Sequence, residues 1–229
     1  MRYLPDLLKI RFGISNQKLN HKKLIENMGK NKIDHKHFID AFIKEWNKIL
    51  KDPNDKKLVP YSNQQEWTKF ILDKNRFLNK VMHSLKSLVP SLEYKREYYT
   101  VDALYVGGEN LFNKNLWYPS EVHVLIEHEM GEKIEEEMWK LIHWRSPLKI
   151  LMFYDWAESK KSTNNRKFWL NKKLEYLSSM LDKVDSFYAE NKKTEYLFII
   201  GNQKTERSIV NWSWASNQSL QPKPIEIGG

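Results

Sequence analysis

The sequence predicts an α/β fold: a mixed central sheet flanked by helices, with an N-terminal helical extension. Three observations predict it. Apolar residues recur every three or four positions through the first third of the chain. The alternating run SEVHVLIEHE is followed at once by a helical pattern. Two unbroken apolar runs, Ile150-Leu151-Met152-Phe153 and Leu197-Phe198-Ile199-Ile200, have the texture of strands covered by helices on both faces.

Within the Lys-, His- and Asn-rich residues 18–52, the positions Phe38, Phe42, Ile43, Trp46, Ile49 and Leu50 set a helix that ends before Pro53. Asp52-Pro53-Asn54-Asp55 is a turn cluster. Trp67, Phe70, Ile71, Phe77, Leu78, Val81, Leu85 and Leu88 then predict one longer helix over 61–88, stopped at Pro90. Residues 92–99 and 101–106, rich in Tyr, Val and Leu and punctuated by Gly107-Gly108, read as strands, and 109–118 as a loop. In 120–129, alternation puts Val122, Val124 and Ile126 on one face and Glu121, His123, Leu125, Glu127 and Glu129 on the other. A helix follows over 132–144, with Ile134, Met138, Leu141 and Ile142 as its apolar stripe and acidic residues suited to a helix N-terminus. Next come a strand over 148–154, a helix over 165–190 and strands over 196–200 and 209–214. The extension is assigned to residues 1–58 and the core to 59–229; the pattern leaves open whether the extension packs on the core or caps it.

The chain has 229 residues, enough for one well-buried domain or one domain with an appendage. With no cysteine it has no disulfide framework, no cysteine-based zinc site and no thiol nucleophile, so metal chemistry falls to carboxylates and histidines. No segment reaches the roughly 18–20 apolar residues of a membrane span, and the start has no signal-peptide pattern, so a soluble, cytoplasmic protein is expected. There is no GxxxxGK[ST] loop and no GxSxG elbow, which removes P-loop and serine-hydrolase readings. His128-Glu129-Met130-Gly131-Glu132 approaches HExxH, but Glu132 replaces the second His and the run is β-patterned rather than helical.

The acidic residues of neighbouring strands carry the chemistry. Glu127 and Glu129 share a strand face about 6–7 Å apart, with Asp102 on the adjacent strand. Carboxylates on a mostly apolar strand repel one another and are costly to desolvate, which calls for a cation between them; a divalent metal with oxygen ligands suits the role. This succession, Asp102 on one strand, Glu127 and Glu129 on the next and a helix straight after, resembles the core of the restriction-endonuclease-like, PD-(D/E)XK nucleases over about residues 61–200. The resemblance implies that Asp102 and Glu127 bind the metal. Val101 stands in place of the motif Pro, and Glu129 in place of the motif Lys that helps to activate water. Some members of that superfamily carry Glu there, and in others the Lys has moved to a neighbouring helix; Lys140 is the candidate for such a move, with Lys133 behind it. Glu66 is the residue picked to complete the site from the first core helix, with Glu93 and Glu97 as competitors.

A net charge of +9 fits a polyanionic partner. Basic residues cluster at 18–36, at 160–173 and at Lys192-Lys193. Lys160, Lys161, Arg166, Lys167, Lys172 and Lys173, beside Phe168 and Trp169, combine phosphate contact with base stacking. The expected function is therefore a Mg²⁺-dependent endonuclease acting on DNA, with Mn²⁺ as a substitute, and a homodimer if both strands are cut. The alternative is a nucleic-acid-binding module that keeps the fold without catalysis.

Overall fold

The structure, a computed structural model, describes residues 32–51, 64–107, 119, 121–155, 163–185, 194–202 and 210–226. Residues 33–229 form one compact unit, so the first described helix, α1 (His35–Lys51), belongs with the sheet. Its buried residues Phe38, Phe42, Trp46 and Ile49 are those that the helical spacing picked out. The single helix expected over 61–88 is instead two, α2 (Gln64–Leu72) and α3 (Phe77–Leu85). Asn75 between them takes the left-handed conformation, φ 66°, which its short polar side chain tolerates, and the Arg76 amide closes a turn on the Asp73 carbonyl at 3.0 Å. Periodicity survived the break because both segments bury the same kind of stripe.

Seven strands follow in sheet order equal to chain order: β1 (Glu93–Tyr98), β2 (Val101–Gly107), β3 (Glu121–Glu129), β4 (Leu148–Tyr154), β5 (Glu195–Asn202), β6 (Asn211–Ser216) and β7 (Ser219–Pro224). β1–β2 and β2–β3 are antiparallel pairs, β3–β4 and β4–β5 are parallel, and β6 and β7 return antiparallel. The two parallel pairs require crossovers, supplied by α4 (Ile134–His143) and α5 (Thr163–Asp185). β7 was not expected from the sequence. Pro222 and Pro224 interrupt its pattern, as prolines do on an edge strand, where a missing N–H is harmless. The loop expected over 109–118 lies outside the described residues.

The sheet has helices on both faces. On one, α1, α2 and α3 pack over Ala103, Tyr105, Val124, Ile126, Ile150, Met152, Leu197 and Ile199. This layer is aromatic: Phe42 meets Phe77 edge-on at 4.8 Å and Trp212 at 5.3 Å, and Trp46 meets Phe77 and Trp212 at 5.4 Å each. Trp212 is thus core, and Trp214 is half-buried against the ring of His35. On the other face, α4 and α5 cover Leu104, Val106, Leu125, Leu151, Phe153, Phe198 and Ile200 with Ile134, Met138, Leu141, Leu170, Leu174, Leu177 and Leu181. No helix of the described residues is long and apolar enough to cross a membrane.

At Gly201 the backbone runs close under two packed rings. A Cβ there would lie 2.5 Å from the Tyr154 ring and 3.0 Å from Trp212. Gly201→Ala is therefore expected to cost about 1–3 kcal/mol, read as a lower urea midpoint with an unchanged slope.

Candidate active site

β2 begins where the parallel strands β3 and β4 finish, and that end of the sheet gathers the acidic residues. Antiparallel register pairs Ala103 with Ile126, which sets Asp102 beside Glu127. There the two carboxylates take the place of ladder acceptors. The Asp102 amide donates to Glu127 Oε2 at 3.3 Å, and the His128 amide donates to Asp102 Oδ2 at 2.8 Å. Glu127 is fully buried, and its Oε1 has no hydrogen-bond partner.

Lys140, on α4, reaches the pair from above. Its ammonium lies 3.5 Å from Glu127 Oε2, donates to the Thr100 carbonyl at 3.3 Å and forms an ion pair with Glu137 one helical turn earlier. Burial works to lower the Lys140 pKa, but Glu137, Glu127 and Asp102 outweigh it, so the side chain is held as an ammonium. Burial raises Asp102, an effect that the His128 amide, Glu127 and Lys140 only partly offset. Burial, then the Asp102 charge, pushes Glu127 far above the usual carboxylate range, with Lys140 pulling the other way. One ammonium therefore does not compensate this cluster.

The pair fits a hard divalent cation. A buried carboxylate oxygen lacks a partner, both carboxylates are raised, and Mg²⁺ commonly takes one or two carboxylates and completes its shell with water and phosphate oxygens. Among the described residues no three His, Asp or Glu side chains form a group that could hold a metal. Glu129 accounts for part of this: its carboxylate turns back to accept the Gly131 amide, although its charge still reaches Asp102.

The other expected positions divide. Glu66 sits on α2, which packs on the opposite face of the sheet, and pairs with Lys69 at 2.8 Å, so the structure does not bring it to Asp102 and Glu127. Glu93 pairs with Lys95 at 3.0 Å, Glu97 with Arg96, and Lys133 with Glu136 at 3.4 Å on the surface. Lys160 and Lys161 lie outside the described residues. Arg166 falls in the first turn of α5. Lys167 and Lys172 are exposed and Lys173 is half-buried on the same helix. Trp139, on the same helix as Lys140, is exposed.

Two features of the site were missed. Glu137 belongs to an acidic run that reads as a helix N-terminus, yet the spacing E-M-W-K places it three residues before Lys140, where an ion pair forms. On the far face, the His128 ring is held by Tyr154: Nε2 lies 2.8 Å from the hydroxyl, which accepts the Trp67 indole N–H at 2.6 Å. Burial pushes His128 down to about 3, so the ring is neutral at ordinary pH. His128 is thus a strand residue facing away from the carboxylates, in keeping with alternation and not with a zinc helix.

No family model matches this chain, and no curated protein matches it.

Without metal, the folded chain keeps a proton on Glu127 that the unfolded chain releases near 4.5. Stability contributed by this group is then full below that value and declines as pH rises through the raised folded pKa. Glu127→Gln in EDTA is expected to flatten that decline and to be more stable than wild type above pH 7, by roughly 1–2 kcal/mol, as urea unfolding across a pH series will read.

Proposed function

We propose that the chain is a metal-dependent nuclease hydrolysing phosphodiester bonds, most readily as an endonuclease on DNA, with Asp102 and Glu127 holding Mg²⁺ or Mn²⁺. The observation that carries the reading is the pairing of half-buried Asp102 with buried Glu127, with an ammonium 3.5 Å from Glu127. The order of elements supports the likeness to the PD-(D/E)XK core: Asp102 on one strand, Glu127 and Glu129 on the next, and α4 straight after. Lys140 supports the idea of a motif lysine displaced to that helix, since its side chain returns to the carboxylate pair.

The residues divide the work by charge. Bound at the pair, Mg²⁺ supplies a lowered water pKa and neutralises charge on the scissile phosphate. The amides of Asp102 and His128 orient the two carboxylates. Lys140, held as an ammonium, stabilises negative charge as it develops and is not the base. Glu129, half-buried at the end of β3, is turned onto the Gly131 amide and takes no part in this division. The alternative, a nucleic-acid-binding module without catalysis, has in its favour that Lys140 already lies against Glu127 and that no third ligand joins the pair among the described residues.

Cleavage of supercoiled plasmid and of labelled oligonucleotides with Mg²⁺ or Mn²⁺ separates the two readings. Asp102→Ala is expected to lose at least about 100-fold of the metal-dependent activity, and Lys140→Met about 10- to 100-fold. Activity that survives loss of Asp102 removes the pair as the site, and wild-type protein that binds DNA without cutting it supports the binding module.

A further inference from the structure

α5 is apolar on two sides. Leu170, Leu174, Leu177 and Leu181 bury against the sheet, while Phe168, Trp169 and Tyr176 stand 65%, 42% and 52% exposed. At about 100° per residue, those rings share one face with Lys172, Lys173, Ser179 and Met180. Glu175, seven residues after Phe168, and Asp182, seven further on, run along the Phe168 edge of that face. The Lys172 ammonium is 5.8 Å from the Phe168 ring centre and that of Lys173 is 5.5 Å from Trp169. Lys172 also pairs with Glu175 at 3.0 Å and Lys173 with Glu135. The first is an exposed pair and the second only partly shielded, and a phosphate can displace such pairs at little cost.

The face does not end on α5. Met180 lines a shallow groove of about 440 Å³ together with Glu135, Glu136, Trp139 and Lys140 of α4. Trp139 is 51% exposed. Lys140 is the same ammonium that lies 3.5 Å from Glu127. The groove thus joins Met180 of α5 to Trp139 and Lys140 of α4. Because α5 already buries a complete leucine stripe, its outer rings add nothing to the core, and leaving them in water is unfavourable.

We infer that this face binds single-stranded nucleic acid, stacking bases on Phe168, Trp169, Tyr176 and Trp139, with Lys172 and Lys173 on the phosphates. Rings interleaved with lysines match a strand whose bases are free to stack; a duplex hides its base faces and offers only edges and backbone. Glu135 and Glu136 in the groove repel phosphate and favour a base there. The inference deepens the nuclease reading by naming its substrate class as an unpaired strand, and it rests on that reading only for what happens at the carboxylates.

The test is fluorescence anisotropy in EDTA with a labelled thymine oligomer of roughly 20 nucleotides, a duplex of equal length and phosphatidylserine vesicles as competitor. Wild type is expected to bind the single strand more tightly than the duplex, with quenching of tryptophan emission. Trp169→Ala and Phe168→Ala are each expected to weaken binding about tenfold, Trp169→Phe to restore most of it, and Lys172→Gln with Lys173→Gln to flatten the salt dependence. Equal affinity for duplex, wild-type binding by both alanine variants, or preference for the vesicles overturns the inference. Binding with this signature but no cleavage in Mg²⁺ leaves the inference standing and removes hydrolysis. Cleavage by variants without the rings, at wild-type rate and affinity, does the reverse.

Discussion

Two carboxylates set side by side at one end of a sheet, Glu127 buried and Asp102 half-buried, impose a constraint that the surrounding structure only partly meets. Like charges at this range cannot both ionise without compensation, and burial makes the conflict worse. The chain answers with two backbone amides and the Lys140 ammonium, yet one oxygen of Glu127 is left without a hydrogen-bond partner. A pair of apolar side chains would remove the conflict. Retaining the carboxylates is costly unless a cation completes the site in the working state, which is the usual reason strained ionisable groups persist in a cleft.

Alternation along β3 assigns each neighbour of this pair to a different layer. Glu127 points toward α4 and α5, whereas His128 points into the aromatic layer beneath α1, α2 and α3. His128 still serves the carboxylates, because its amide donates to Asp102 while its ring is fixed by the Tyr154 hydroxyl and, through that, by the Trp67 indole. Gly201 leaves room for the Tyr154 ring, so the strand that faces the site on one side is held by packing on the other. Rigid support of this kind keeps the two carboxylates from relaxing apart under their own repulsion.

Much of the fold was legible because its strands carry simple patterns. The alternating β3 and the unbroken β4 and β5 marked their extent, and Leu148–Tyr154 came out with the same bounds in sequence and structure; on β3 a register shift against β2 puts Val122 in the layer opposite Val124 and Ile126, which alternation did not show. The break between α2 and α3 was hidden because the turn at residues 73–76 contains no Gly or Pro and both helices bury similar stripes. β7 was hidden by its prolines. At the site, the nuclease resemblance pointed to Lys140 on the following helix, and the strand pattern put Asp102 beside Glu127. It could not foresee that the Glu129 side chain would fold back onto Gly131, since side-chain direction at a strand end is set by the turn that follows. Glu66 was misplaced for a related reason: periodicity says that a helix packs on the sheet, not on which face.

A second buried charge shows why burial alone does not mark a functional residue. Lys149 lies fully buried on β4, on the same side of the sheet as Glu127 and two residues back along the parallel register. Its ammonium donates to the Ile142 carbonyl at 3.3 Å and to the Tyr196 hydroxyl at 3.0 Å. Ile142 is in the last turn of α4, where free carbonyls carry partial negative charge, so the lysine closes a helix end as a cation should. The same helix sends Lys140 to Glu127. α4 is thus bound to the sheet electrostatically at both positions, by a lysine from the sheet to its C-terminal turn and by its own lysine to the carboxylates. The first contact matches donor to acceptor and reads as architecture. At the second, acceptors outnumber donors, and the excess negative charge is what a bound cation would need.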